Sequence, residues 1–236
     1  KSGFSICQTN CRCLIPVPAS YTGENLDKPL LRGKKALLAT DMKMAGKHET
    51  VKDAQKWVEQ NIAGVRKANY RNMPIHLVNA INKELLSLQK KYGQLGGIEA
   101  IEVVPKSTNF LGRMKNGVVL QIREDVTNAM FKRRVLSGID PYKPHLGGLI
   151  DHEIGHALTP AIFRFEKTSS GKWVSHKTAF GKRLDSFFRK HRTKIRKEIS
   201  EYAGTARHEF VAEAFAMREA KKAPQWVLNW LESEGI

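Results

Sequence analysis

The segment HEIGH, at residues 152–156, carries two histidines and a glutamate at a spacing that can hold and use a metal ion. Residues four apart lie on one face of an α-helix, so His152 and His156 can reach a single cation. Imidazole nitrogen is a preferred zinc ligand, and a catalytic zinc site uses three protein ligands and keeps one position open for water. We expect the Glu153 carboxylate to accept a proton from that water as the general base. The alternative is a pair of helical histidines that bind no metal.

A second segment, TARHEFVAEAF at residues 205–215, offers the third ligand. Glu209 and Glu213 are four residues apart on a predicted helix that is otherwise largely apolar here, so they share a face. Burying two carboxylates costs too much free energy unless a cation and its histidines compensate them. We therefore predict that Glu209 binds zinc and that Glu213 orients a ligand histidine. Two boundary glutamates reaching solvent are the alternative, and the adjacent His208 is a competing ligand or a proton-transfer group.

Together the two segments resemble the catalytic domain of anthrax lethal factor and its relatives, a zincin family of metallopeptidases. HEIGH is followed later in the chain by Tyr202 and then by EFVAEAF, and the tyrosine stands seven residues before Glu209, as in that family. The resemblance implies a zinc endopeptidase with the ligands His152, His156 and Glu209 and the base Glu153. It also implies that the Tyr202 hydroxyl stabilises the tetrahedral oxyanion. A structural role for Tyr202 at the helix entry is the alternative.

The pattern of apolar residues predicts the elements that must position these side chains. Six segments read as helices, mostly because apolar residues recur every three or four positions: 49–70, 73–92, 146–158, 180–199, 205–222 and 224–232. Residues 98–105 and 117–125 are rich in β-branched residues, which predicts two strands. The expected fold class is α+β, a mainly helical zincin-like domain with a small mixed sheet. Zincin substrates add as an extended strand along a sheet edge, and we predict residues 118–122 as that edge.

The first 48 residues differ from the rest and hold all three cysteines, Cys7, Cys11 and Cys13. We expect residues 1–48 to form a tail or linker and residues 49–236 to form the metallopeptidase domain. With no nearby histidine the cysteines make at most an incomplete zinc site, and a reducing compartment suits them best. CQTNCRC followed by LIPVP is similar to the end of Mu-type minor head (head morphogenesis) proteins of tailed phages. This resemblance implies a virion-associated effector or maturation protease, located in the phage head or in the host cytoplasm after delivery, with capsid or portal proteins as partners.

The chain is strongly basic, with 40 lysines and arginines against 23 acidic residues and a net charge of +17. Such a charge attracts polyanions, and many of the basic residues lie on the outer face of the helix predicted at 180–199. The alternatives to a peptidase are therefore a basic DNA-binding virion protein and a non-catalytic component of the phage head. A solvated basic surface without a dedicated site is the simplest reading of the charge. No apolar run approaches the roughly 18 residues that cross a bilayer, and we expect no membrane partner.

Overall fold

The computed structural model describes residues 45–136 and 143–236, which form a mixed α+β fold of seven helices and two small sheets. The helices are α1 (Val51–Asn61), α2 (Ile75–Tyr92), α3 (Asn128–Leu136), α4 (Leu146–Leu158), α5 (Ala179–Glu198), α6 (Arg207–Glu219) and α7 (Gln225–Ser233). The strands are β1 (Lys67–Asn69), β2 (Ala100–Val104), β3 (Gly112–Lys115), β4 (Val119–Arg123), β5 (Phe163–Lys167) and β6 (Trp173–Lys177). The expected α+β class is confirmed. The predictions for the three cysteines and for most of the tail lie outside the described residues.

The larger sheet has the strand order β1-β2-β4-β3, in which β1, β2 and β4 are parallel and β3 is antiparallel to β4. The prediction that residues 118–122 form an exposed edge is therefore wrong, because Leu120 of β4 pairs with Ile101 on one side and with Met114 on the other. The strand β4 is buried on both faces, because Leu120 and Ile122 on one face and Gln121 on the other are all buried. The edge beside β4 is β3, for which the sequence pattern predicted no strand.

Two local features explain where the predicted elements differ from the observed ones. The helix predicted at 49–70 ends at Asn61, because the chain turns at Gly64, which has a φ of +94°. A Cβ at Gly64 would lie 2.8 Å from the Ile98 carbonyl oxygen, so only glycine lets the chain pass there and enter β1. Asn116 and Gly117, both with positive φ, form the turn between β3 and β4. That Asn-Gly pair is a hairpin signal, and it marks the strand that the prediction missed.

The helix α3 and the hairpin of β5 and β6 were also missed, for a shared physical reason. Phe131 is the one residue of α3 that is buried, so this helix has no apolar stripe. No residue of β5 or β6 is buried, and the alternation of half-buried and exposed positions runs over too few residues to mark a half-buried strand. Elements that bury little surface leave little signal in the sequence.

The helix α6 lies between two hydrophobic clusters. Phe215 belongs to the first cluster, which the larger sheet forms with α1, α2 and α4, and Phe210 belongs to the second, formed with α5 and α7. Full burial of each large side chain contributes about 1.5–3 kcal/mol, so both faces of α6 are held firmly. The helix that carries Glu209 is thus fixed from two sides. Within the described ranges no helix is both long and apolar enough to cross a membrane.

Candidate metal centre

The helix α4 carries HEIGH through the middle of the molecule. The His145 ring accepts a hydrogen bond from the backbone N–H of Gly147 (3.1 Å) and caps the start of the helix. At the other end the Thr159 hydroxyl donates to the Gly155 carbonyl (2.6 Å), and Pro160 follows. Most of α4 is buried, and His152 is fully buried. The motif therefore lies on a core helix, with the bounds that the sequence predicted.

The helices α4 and α6 approach most closely at Gly155. A Cβ added at Gly155 would stand 2.9 Å from the Cα of Ala212 and 3.0 Å from the Cβ of Phe215. Neither of these atoms can rotate away, because both lie on or next to the backbone. The glycine inside HEIGH thus permits the helix contact that brings side chains of α4 and α6 together.

Replacement of Gly155 by alanine is expected to destabilise the protein by about 1–3 kcal/mol, because the added methyl group forces the two helices apart. The gain in helix propensity, up to about 1 kcal/mol, offsets part of this loss. Urea unfolding measures the change. The control is Gly97→Ala, where the nearest atom to an added Cβ is 4.0 Å away and no such loss is expected. A Gly155→Ala protein as stable as the wild type would show that the helices are not in tight contact here.

Three side chains from these helices converge on one point. The Oε2 atom of Glu209 lies 3.3 Å from Nε2 of His152 and 3.4 Å from Nε2 of His156. The three potential ligand atoms all lie within 4.8 Å of one another. The two imidazole rings are nearly perpendicular, at 85°, with their centroids 4.8 Å apart. The structure therefore brings together the three residues that the sequence predicted as ligands.

The two separations that Glu209 Oε2 makes fit a tetrahedral divalent cation. Zinc bonds to nitrogen and oxygen are about 2.0–2.1 Å long, which makes neighbouring ligand atoms of a tetrahedron about 3.3–3.4 Å apart. Both contacts of Glu209 Oε2 have this length. Nε2 of His156 and Oε2 of Glu209 are buried, yet neither makes a hydrogen bond of ordinary geometry within the described chain. Buried polar atoms without hydrogen bonds call for an explanation, and a bound metal ion provides one.

Glu213 lies one helical turn beyond Glu209 and contacts Nδ1 of His152, the ring nitrogen that does not face Glu209. Its Oε1 atom is 3.1 Å from Nδ1 of His152, and its Oε2 atom accepts a hydrogen bond from the Ser200 hydroxyl (3.2 Å). The Ser200 oxygen in turn accepts from the backbone N–H of Ala203 (2.9 Å). A carboxylate on Nδ1 leaves Nε2 of the histidine as the metal-binding nitrogen. The sequence interpretation missed Ser200, since an isolated serine before a helix carries no motif.

Glu153 and Tyr202, the predicted base and oxyanion donor, both lie beside His152. Glu153 is fully buried, and its carboxylate is close enough to act on the charge of the His152 ring. The Tyr202 ring is half-buried, with its centroid 6.3 Å from that of His152. The proposed catalytic groups and the three converging side chains therefore form one cluster.

His208 contacts the candidate centre from its exposed side. Its Nε2 atom lies 3.2 Å from Oε1 of Glu209, the oxygen that is not shared with His152 and His156. The His208 side chain is 34% exposed and that of His156 is 12% exposed. His208 is thus placed to orient the Glu209 carboxylate and lies on the side from which solvent reaches the cluster.

The charges of the cluster reinforce one another. Burial acts to lower the pKa of His152, but its close contacts with the Glu209 and Glu213 carboxylates outweigh this effect and raise the pKa well above its ordinary value. Burial likewise acts to raise the pKa of Glu209, but the charge of His156 and contacts with the neighbouring histidines hold it well below its ordinary value. The raised pKa favours the protonated form of the His152 ring between the two carboxylates. A divalent cation can take the place of that proton.

A second charged group lies next to the motif on α4. Nζ of Lys143 is 2.7 Å from Oε1 of Glu84 and 2.8 Å from Oδ2 of Asp151, which is fully buried. Burial and the nearby Glu84 carboxylate raise the pKa of Asp151 to about 8, against the opposing effect of Lys143. This group of ion pairs connects α4 to α2, which carries Glu84.

Comparisons of the chain with protein-family models, with curated proteins and with solved structures find no match.

Proposed function

We propose that this chain is a zinc-dependent endopeptidase of the zincin type. The observation that carries the proposal is the position of Glu209 Oε2, at tetrahedral spacing from the Nε2 atoms of His152 and His156. These three residues are the proposed ligands. The HEIGH motif supports the choice of zinc, because two histidines and a glutamate form a common ligand set of zinc hydrolases.

The remaining residues of the cluster have defined roles in peptide hydrolysis. When bound, the zinc ion supplies Lewis acidity that activates a water and polarises the substrate carbonyl. Glu153 accepts the proton of the attacking water and passes it to the leaving amine. The Tyr202 hydroxyl donates a hydrogen bond to the oxyanion. Glu213 and Ser200 hold the His152 ring in orientation, with its Nε2 atom toward the metal.

The substrate strand is proposed to add along β3, in place of the segment predicted at 118–122. Among the described strands β3 pairs only with β4, and it is antiparallel to the others. It packs directly on α4, because a Cβ at Gly112 would lie 2.9 Å from Cδ1 of Leu149, a residue one turn before His152. A peptide that extends the sheet at β3 therefore passes beside the helix that carries HEIGH.

The test measures metal content and peptide cleavage on the same preparation. We expect about one zinc per chain, and cleavage of a proteome-derived peptide library detected by mass spectrometry. A chelator is expected to abolish cleavage, and added Zn²⁺ to restore it. Failure to bind zinc would overturn the whole proposal. Full zinc occupancy without cleavage would overturn the peptidase and leave a metal-binding protein.

The biological setting is a separate proposal. The similarity of residues 7–18 to the end of phage minor head proteins supports a peptidase that is associated with the phage virion, as an effector or a maturation protease. Its substrates are then capsid or portal proteins, or host proteins met after delivery. Incubation of the zinc-loaded protein with virion proteins and, separately, with host lysate distinguishes virion substrates from host substrates. Only the sample that contains the substrate should yield new N-termini.

A further inference from the structure

The helix α5 has a solvent face that is almost entirely cationic. Its other face buries Phe180, Leu184 and Ile195 in the second hydrophobic cluster. With 20 residues the helix is about 30 Å long. Its exposed residues include eight lysines and arginines: Lys182, Arg183, Arg189, Lys190, Arg192, Lys194, Arg196 and Lys197. Apart from Glu198 at its end, the helix contains one acidic residue, Asp185.

Most of this charge is not compensated by neighbouring residues. Arg183 pairs with Glu234 (2.8 Å), and Arg196 lies 3.7 Å from Glu201. The other six cations form no salt bridge with any residue in the ranges 45–136 and 143–236. Asp185 offsets little of their charge, because it pairs with Lys177 and Arg207 and interacts only at longer range with Arg189. Such a row of like charges repels itself, and a polyanion relieves that repulsion.

The hairpin of β5 and β6, which precedes this helix in the chain, carries an exposed aromatic ring. The Trp173 residue at the start of β6 is 65% exposed, and Leu136 is the other large hydrophobic residue exposed among the described residues. The hairpin is fixed to α5 by the ion pair of Lys177 with Asp185. Lys167, which pairs with Trp173 across the two strands, and Lys172, which precedes it, are also exposed. An exposed tryptophan among cations suits base stacking, since every nucleobase offers a flat face.

We propose that the cationic face of α5 and the hairpin around Trp173 form a nucleic-acid-binding surface. The lysines and arginines contact phosphates, and Trp173 stacks on an unpaired base. A membrane surface fits less well, because interfacial helices insert large apolar side chains, whereas the exposed residues of α5 are cations and small polar residues apart from its two ends. The proposal does not depend on the metal centre or on peptidase activity.

Fluorescence anisotropy of labelled oligonucleotides, about 20 nucleotides long, tests the surface at several salt concentrations. Single-stranded DNA, duplex DNA and single-stranded RNA are the three probes, and vesicles with anionic lipid are the fourth. We expect the nucleic acids to bind with an affinity that falls steeply with salt, by a slope of about 0.7–0.9 for each phosphate contact. Binding that does not depend on salt, or binding to the vesicles alone, would overturn the proposal.

Two pairs of matched variants locate the contact. Lys190→Ala combined with Lys197→Ala is expected to weaken binding about tenfold or more and to lower the salt slope by about 1.4 on single strands. Lys52→Ala combined with Lys56→Ala removes the same charge from exposed positions of α1 and should leave binding nearly unchanged. Trp173→Ala is expected to weaken single-strand binding about fivefold or more, with Leu136→Ala as the control. Equal losses in the two double lysine variants would show that total charge, and not this surface, drives binding, and equal losses in Trp173→Ala and Leu136→Ala would remove Trp173 from the contact.

Discussion

Glu153→Gln is expected to lower the peptidase kcat/KM by about two to four orders of magnitude, the usual contribution of a general base. Glutamine keeps the size and the hydrogen-bonding capacity of the side chain but cannot take a proton from water. Glu153 is not one of the three residues whose ligand atoms converge, so the zinc content should stay at about one per chain. Steady-state kinetics on a cleaved peptide and metal analysis of the same sample measure both quantities.

The control for this experiment is Glu201→Gln, which makes the same chemical change close to the cluster in sequence. The Glu201 side chain is 85% exposed, so its variant should keep both activity and metal. A Glu153→Gln enzyme with wild-type kcat/KM would remove Glu153 from the mechanism. Loss of zinc together with activity would instead make Glu153 a contributor to metal binding.

Glu209→Gln is expected to have the second large effect, a loss of zinc affinity of more than about 100-fold. Substitution of a residue that only orients a ligand typically costs about 10- to 100-fold, and removal of a ligand charge should exceed that range. Glu213→Gln is the matched comparison, because it makes the same change one turn away on the same helix. Its loss should fall inside the 10- to 100-fold range, since Glu213 contacts Nδ1 of His152 and not the converging atoms.

Competition with a zinc-binding dye gives the affinities of both variants. Zinc affinity is expected to be highest for the wild type, lower for Glu213→Gln and lowest for Glu209→Gln. The reverse order of the two variants would assign the ligand role to Glu213. Two variants that both keep wild-type affinity would place the metal elsewhere in the chain.

The helical parts of the candidate centre were predictable because they depend on local periodicity. The bounds of α4 agree with the prediction, and the spacing of His152 with His156 already places both on one face. Glu209 and Glu213 were recognised because two acidic residues are unusual on a helix that is otherwise buried. Their functional roles and the identity of the metal stay predictions until the experiments above are done.

The sheet and the supporting contacts were less predictable because they depend on residues that are distant in sequence. The position of β4 inside the sheet follows from its pairing with both β2 and β3, which no local pattern reveals. The contact of Gly155 with Ala212 and the bond of Ser200 to Glu213 likewise join separate parts of the chain. The apolar spacing predicted a helix to residue 70, but the turn at Gly64 follows the end of α1 at Asn61. In each case packing between elements decided the outcome.

The order of elements along the chain places the proposed nucleic-acid-binding surface between the two helices of the candidate metal centre. The hairpin and α5 lie between α4 and α6 in sequence, so the chain leaves the two helices that carry the candidate ligands after Leu158 and returns to them at Arg207. Doubling the length of such an excursion costs only about 0.6 kcal/mol in closure entropy. The length of this segment is therefore weakly constrained, but α5 must keep the apolar face that packs in one cluster with Phe210 and holds α6 in place.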